Sequence, residues 1–265
     1  MGNRVPFYHL TLDLMNSVQA LGSFRKMLSE KRAKTNLLYF LNAHCFNISL
    51  INHEYYKALR GTDLLFNDGI GIKLGAFLKR IDLIENLNGT DLIPKIIKLA
   101  FDLNKKIYLL GAREGVADNA ANNLRAQYPG IQIVGVSSGF FGDDSELIAK
   151  INQSKADLLI VGMGVPRQEI WLKEHSHKLE SVKLAVAGGA ILDFISNKVK
   201  RAPFWVRKAG FEWAFRFIQE PSRLFKRYFY GNFLFLYLLI FTRPNVSNLK
   251  EMNATREGLL LKQLL

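Results

Sequence analysis

Apolar and polar positions alternate in blocks over the first two thirds of the chain. Residues 36–50, NLLYFLNAHCFNISL, begin as a continuous apolar run and turn polar at Asn42. LLFNDGIGI is a second short run, broken at Asn67-Asp68-Gly69. Leu92, Ile96, Leu99 and Leu103 then recur at helical spacing. After them come KIYLLGAREG, a strand ending in a glycine turn, and VADNAANNLRAQY, an alanine-rich helix. IQIVGVSSGFFG reads as strand and loop, and SELIAKINQS as a helix with Ser145 near its N-cap. ADLLIVGMG is a strand, PRQEIWLKEHSHKL a helix with Pro166 near its first turn, and VKLAVAGGA a strand. Strands alternating with helices of this length predict βαβ units and a parallel sheet. The strands are apolar throughout because both faces of such a sheet are covered.

The pattern changes near Ser196. Between 197 and 231 stand nine basic residues and two acidic ones, interleaved with aromatics such as Trp205, Trp213, Phe225 and Tyr228. Phe211, Phe215 and Ile218 share one helical face, so the segment reads as an amphipathic basic-aromatic appendage. Pro221 marks the end of one helix and the start of another. The expected organisation is a core over 1–196, a helical appendage over 197–241 and a tail over 242–265. Truncation after Ser196 is expected to leave a folded core.

Composition narrows the function. The chain has 265 residues, 49% of them hydrophobic, 22% charged and 12% aromatic, which excludes a disordered chain. One cysteine, Cys45, excludes an internal disulfide and suits a reducing compartment. The net charge of +13 points to an anionic partner: nucleic acid, a phosphorylated small molecule or an acidic membrane surface. Met1 to Leu10 carry no signal-peptide pattern. The longest apolar run, Phe233–Phe241, is too short for a spanning helix, which needs about 20 residues. It reads either as a buried helix end or as a membrane-surface contact.

In a doubly wound sheet, ligands bind at the carboxyl ends of the strands. Four such ends carry glycine: Asn67-Asp68-Gly69, Gly111 to Gly115, Gly164 before Pro166-Arg167-Gln168-Glu169, and Gly188-Gly189. Glycine lets backbone N–H groups approach a phosphate. The glycines also read as tight turns or close packing, and Gln168 or Glu169 as a cap. Asp68, at the end of an apolar strand, is suited to act as a general base, or to form an Asx-turn. The five histidines lack metal-ligand spacing and read as structural or exposed. No DxD triplet is present, so no metal site is expected.

These residues carry a resemblance. FNDGIGI, NGTDLI, YLLGAREGVADNAANNL, VGMGVPRQEIWL, AVAGGAILDFISNKVKRAP and GFEWAFRFIQEPSRLFKRY occur in the order and spacing of the WecG/TagA/CpsF glycosyltransferases. The resemblance covers roughly residues 5 to 230. It implies a Rossmann-like α/β core and an inverting transferase that needs no cofactor. The donor would be a UDP-linked sugar of the N-acetylmannosamine type. The acceptor would be a lipid-linked amino sugar, usually undecaprenyl-diphosphate-GlcNAc, used in surface polysaccharide or teichoic acid-type synthesis. Asp68 matches the family's proposed base, Asn42 its strand-end asparagine and Gln168 its PKQE glutamine. Arg216, Arg223 and Lys226 match its appendage cations. Three positions depart from the pattern: Phe40 stands for a frequent threonine, Asn86 for an arginine and Lys226 for an arginine. The expected placement is cytoplasmic, peripheral on the inner face of the cell membrane, with the appendage on an anionic leaflet. Arginines and helix N-termini then take up the charge of the UDP leaving group.

A nucleotide-cofactor oxidoreductase is the competing enzyme class, but no GxGxxG follows the first strand. A nucleic-acid binder would use the basic segment. The concentration of that charge at one end, beside a nucleotide-type core, argues against it, and no nucleic-acid partner is expected.

Overall fold

The computed structural model describes residues 3–31, 34–208 and 211–242; the side chains of 204, 208, 223, 226, 227 and 242 lie outside that description. So does the proposed tail beyond Thr242.

Six parallel strands form the central sheet: β3 (Asn36–Leu41), β4 (Leu64–Asn67), β5 (Ile107–Gly111), β6 (Ile133–Ser137), β7 (Leu158–Gly162) and β8 (Leu184–Ala187). Their spatial order is β4-β3-β8-β7-β5-β6. Consecutive side chains point to opposite faces, and both faces are covered. Leu37, Tyr39 and Leu41 enter one hydrophobic layer, while Leu38 and Phe40 enter the other. That is why the strands read as unbroken apolar runs. One layer packs under α2 (Ala43–Ile51), α3 (His53–Arg60), α7 (Asp144–Ser154) and α8 (Arg167–His175). The other packs under α1 (Ser17–Ser29), α5 (Gly89–Asp102), α6 (Val116–Gln127) and α9 (Ile191–Ile195). Ser145 lies near the N-cap of α7, as expected: Asp143 is the cap and accepts from the Ser145 N–H.

Before the sheet lies an antiparallel hairpin, β1 (Asn3–Phe7) and β2 (Leu10–Leu14), which the helix-and-strand alternation did not suggest. Asp13 fastens it to the edge of the sheet. Its buried carboxylate accepts the Leu65 N–H at 2.9 Å and pairs with Arg4 at 3.1 Å. Burial raises the Asp13 pKa, against the opposing pull of the Leu65 N–H and Arg4.

α4 (Ile70–Leu78) lies between β4 and α5, and after the core come the C-terminal helices α10 (Phe204–Lys208), α11 (Glu212–Gln219), α12 (Pro221–Phe225) and α13 (Gly231–Tyr237). Pro221 begins a helix, as expected. A π-helical turn, Lys226–Tyr230, leads into α13, and a second, Leu238–Thr242, follows it. Leu234, Phe235, Leu238 and Leu239 belong to the same buried layer as Phe7 and Phe46. Asn47 donates to the Gly231 carbonyl at 2.8 Å from within α2. The apolar run therefore has two faces. One is core, so a chain ending at Ser196 would uncover that layer. The other, with Phe233, Ile240 and Phe241, is exposed. Among the described residues, no helix is long and apolar enough to cross a membrane.

Candidate active site

The chain path places the candidate residues along one edge of the sheet. In the spatial order, the carboxyl ends of β4, β3, β8, β7 and β5 present Asp68, Asn42, Gly188-Gly189, Gly164 and Gly111. The crossover from β5 runs through α6 on one face, and that from the adjacent β7 runs through α8 on the other. Strands whose crossovers diverge in this way leave a crevice between them.

At the β4–β3 end lies a cavity of about 570 Å³. Asn42, Asp68 and Gly69 line it from the sheet, Asn86 and Asp91 from the start of the α5 region, and Arg207, Trp213, Arg216, Tyr228 and Leu236 from the C-terminal helices. Asp68, Asn42, Gly69 and Arg216, singled out in the sequence, thus line one cavity together. Arg223 and Lys226 lie in the helical turns beside it, with side chains outside the description. Gly111, Gly164, Gly188, Gly189, Gln168 and Glu169 are not in its lining.

The Asp68 loop is fixed by backbone bonds. The Asp68 N–H donates to the Leu41 carbonyl at 2.8 Å. The Gly69 N–H donates to Asn86 Oδ1 at 3.0 Å, and Gly69 sits at φ +90°, where a side chain would be strained. Gly69 is the N-cap of α4 and has no side-chain cap bond. Asn67 is buried and donates to the Glu85 carbonyl at 3.0 Å, so it holds the loop rather than facing the cavity. Asn86, the departure from the arginine pattern, therefore has a local task in this chain. Phe40, a second departure, is a core residue packed on Gly89 and Phe66. Asn42 caps α2, accepting the Cys45 N–H at 3.0 Å, while also lining the cavity.

The glycine ends divide into two kinds. A Cβ on Gly111 would lie 2.4 Å from the Gly162 backbone, and one on Gly188 would lie 2.5 Å from Ile191. These two are packing glycines. Gly164 and Gly189 have positive φ and open space where a Cβ would sit. Both of their N–H groups donate to Gln168 Oε1, at 3.2 and 3.1 Å. Gln168 in turn donates to Glu169 Oε1 at 2.7 Å. Gln168 is buried and ties the β7 and β8 loops together, a brace between strand ends.

Glu169 is buried, and burial raises its pKa from 4.5 to about 7. The folded carboxyl keeps a proton that the unfolded one loses between those values. Stability from this group is complete below about pH 4.5 and is lost as pH rises through 7. The expected loss is on the order of 3 kcal/mol. Buried His9, lowered to about 3 by desolvation, gives the opposite slope below pH 6.5. Melting temperatures of Glu169→Gln and wild type, read from pH 4.5 to 8, should therefore converge at the acid end, with wild type falling behind as pH rises. Parallel curves would remove Glu169 from this account.

Several cavity residues escaped the sequence reading. Asp91 pairs with Arg201 at 2.6 Å and with Arg207 at 3.0 Å. Burial alone would raise its pKa, but the Asn88 amide and the two arginines hold it below the usual value. Asp91 stood within NGTDLI and Arg207 within the basic segment, yet neither showed a spacing that linked them across more than a hundred residues. His44, read as structural or exposed, lines the cavity as well. Arg216 lies with its guanidinium 5.1 Å from the Phe194 ring. Its Nε is buried without a hydrogen-bond partner among the described residues.

A parallel α/β sheet with an acid, amides and arginines gathered at its carboxyl ends defines a Rossmann-like α/β core. The chain belongs to the WecG/TagA/CpsF family of glycosyl transferases, whose sequence profile matches residues 5–248, and it is a glycosyltransferase. It is 28% identical over 172 residues to an N-acetylglucosaminyldiphosphoundecaprenol N-acetyl-beta-D-mannosaminyltransferase of Bacillus subtilis (strain 168), covering 65% of this chain and 67% of that protein. A protein of the same description from Bacillus spizizenii is 30% identical over 172 residues, covering 65% of this chain and 66% of its own. Another, from Staphylococcus aureus (strain MW2), is 24% identical over 221 residues, covering 83% of this chain and 87% of its own.

Proposed function

We propose that this chain transfers an N-acetylmannosamine-type sugar from a UDP donor to an undecaprenyl-diphosphate-linked amino sugar, with inversion, in surface polysaccharide or teichoic acid-type synthesis. The observation that carries the reading is the cavity in which Asp68 faces the same space as Arg207 and Arg216. The names of the relatives support the choice of sugar and acceptor.

In this reading an acceptor hydroxyl oxygen attacks the anomeric carbon, and its proton passes to the Asp68 carboxylate. The carbon–oxygen bond to UDP breaks, and its electron pair leaves on the diphosphate oxygen. Arg207 and Arg216, with Arg223 and Lys226 in the adjoining turns, stabilise that charge in a partly desolvated site. The open Gly164 and Gly189 ends supply the strand edge for the nucleotide, and Gln168 keeps them in register. The enzyme works from the cytoplasmic side, peripheral on the inner face of the membrane, where its acceptor is anchored. The test is a donor screen with purified protein and a GlcNAc-diphosphate lipid. Transfer from UDP-N-acetylmannosamine supports the reading; transfer from none of the UDP-sugars overturns it.

Because the charge is taken up by arginines, activity should persist in excess EDTA. Complete loss in EDTA, restored by Mg²⁺ or Mn²⁺, would mean that a metal carries the diphosphate instead.

A further inference from the structure

The sequence places membrane contact in the segment after Ser196. The structure adds an element from the core. On α4, Ile70, Leu74, Phe77 and Leu78 recur at helical spacing, and all are exposed, Phe77 by 77%. Around α13 and the turn after it, Phe233, Leu236, Tyr237, Ile240 and Phe241 form a second exposed stripe. The two helices pack on one another through residues other than these stripes. A Cβ on Gly71 would lie 3.3 Å from the Phe235 ring, and one on Gly75 would lie 3.2 Å from Leu239. The glycines let α13 sit close to α4, and both outer stripes remain uncovered. The stripes meet at the cavity, which Ile70, Leu74 and Leu236 line.

Exposed apolar stripes on two packed helices, both reaching one cavity, mark a docking face. Its charge identifies the partner. Lys73 stands exposed on α4, Lys79 and Arg80 follow its end, and no acid occurs between Asp68 and Asp82. Basic side chains bordering an apolar face suit the headgroup region of an anionic bilayer.

We propose that α4 and α13 together are the bilayer-docking face, so that the helix starting at the Asp68 loop is itself seated in the lipid. This rests on the reading of the chain as an enzyme acting on a membrane-anchored acceptor. Docking on this face puts the cavity mouth at headgroup depth, where the diphosphate of a lipid-linked sugar lies. It also ties the base loop to the membrane, because Asp68 and Gly69 lead directly into the docked helix.

The experiment is co-sedimentation of the full chain with phosphatidylethanolamine–phosphatidylglycerol vesicles. Phe77→Gln/Leu78→Gln removes apolar burial without adding charge, at positions outside the cavity lining. Binding should weaken by roughly tenfold to a hundredfold. Turnover on a short-chain, water-soluble acceptor should stay at the wild-type level. Lys73→Gln/Arg80→Gln should weaken binding at low salt, with the difference from wild type vanishing toward about 1 M salt. Phe233→Gln/Phe241→Gln gives an independent reading on α13 if the first pair disturbs folding. Wild-type binding with undiminished binding of the Phe77/Leu78 and Phe233/Phe241 pairs overturns the proposal and leaves the enzyme reading intact. A wild-type chain that ignores the vesicles overturns the proposal and counts against a membrane-anchored acceptor. A wild-type dimer that the Phe77/Leu78 pair dissociates, with vesicle binding unchanged, assigns the face to a second copy and also overturns it.

Discussion

Asp68→Asn should lower turnover by about 10²–10⁴-fold, the usual weight of a general base, with the fold retained. Retention follows from how the loop is built. Its two defining bonds use the Asp68 N–H and the Gly69 N–H, on the Leu41 carbonyl and Asn86 Oδ1. An asparagine at 68 leaves both in place. The substitution keeps the volume and removes the proton-accepting charge, so the loss should fall on kcat, with little change in donor affinity. Single-turnover rates beside a thermal melt make the measurement. Near-normal turnover in a folded Asp68→Asn chain would give the base to another group.

Phe235→Ala is expected to cost about 3–5 kcal/mol of stability, the range for emptying a buried aromatic site. Phe235 is 1% exposed, and its ring meets Phe46 edge-on, with centroids 5.2 Å apart. It also covers Gly71 at the start of α4 and lines the cavity. The cavity left by the truncation cannot be filled by Gly71, which has no side chain to move into it. Denaturant unfolding of the variant against wild type measures the loss, and activity should fall as the mouth of the site loosens. A change below about 1 kcal/mol would mean that α13 rests loosely on α2 and α4. The same geometry predicts that a chain cut after Ser196 fails to hold its native layer. It would lose Leu234, Phe235, Leu238 and Leu239 together, leaving Phe7 and Phe46 uncovered.

The alternation of apolar runs with helical spacing determined the α/β class and the parallel sheet, because βαβ crossovers cover both faces and leave the inner strands almost wholly buried. It also located the strand ends at Asn42, Asp68, Gly111, Gly164 and Gly188, since a chain leaving a buried strand must turn polar or use glycine. Ordered motifs identified the family. What lay beyond the sequence was every relation that joins distant segments. The hairpin was missed because two five-residue strands at a sheet edge carry a weak signal, and Asp13 takes its meaning only from the Leu65 N–H. Gln168 looked like a substrate ligand or a helix cap; two glycine amides from different loops make it a brace. Asp91 and Arg207 became a pair only when α5 and the C-terminal helices came together. The apolar run Phe233–Phe241 was open between core and membrane because its residues are apolar on all sides. Packing on Phe46, Gly71 and Gly75 decided which side is core, and burial of that side left the other to the solvent or to lipid.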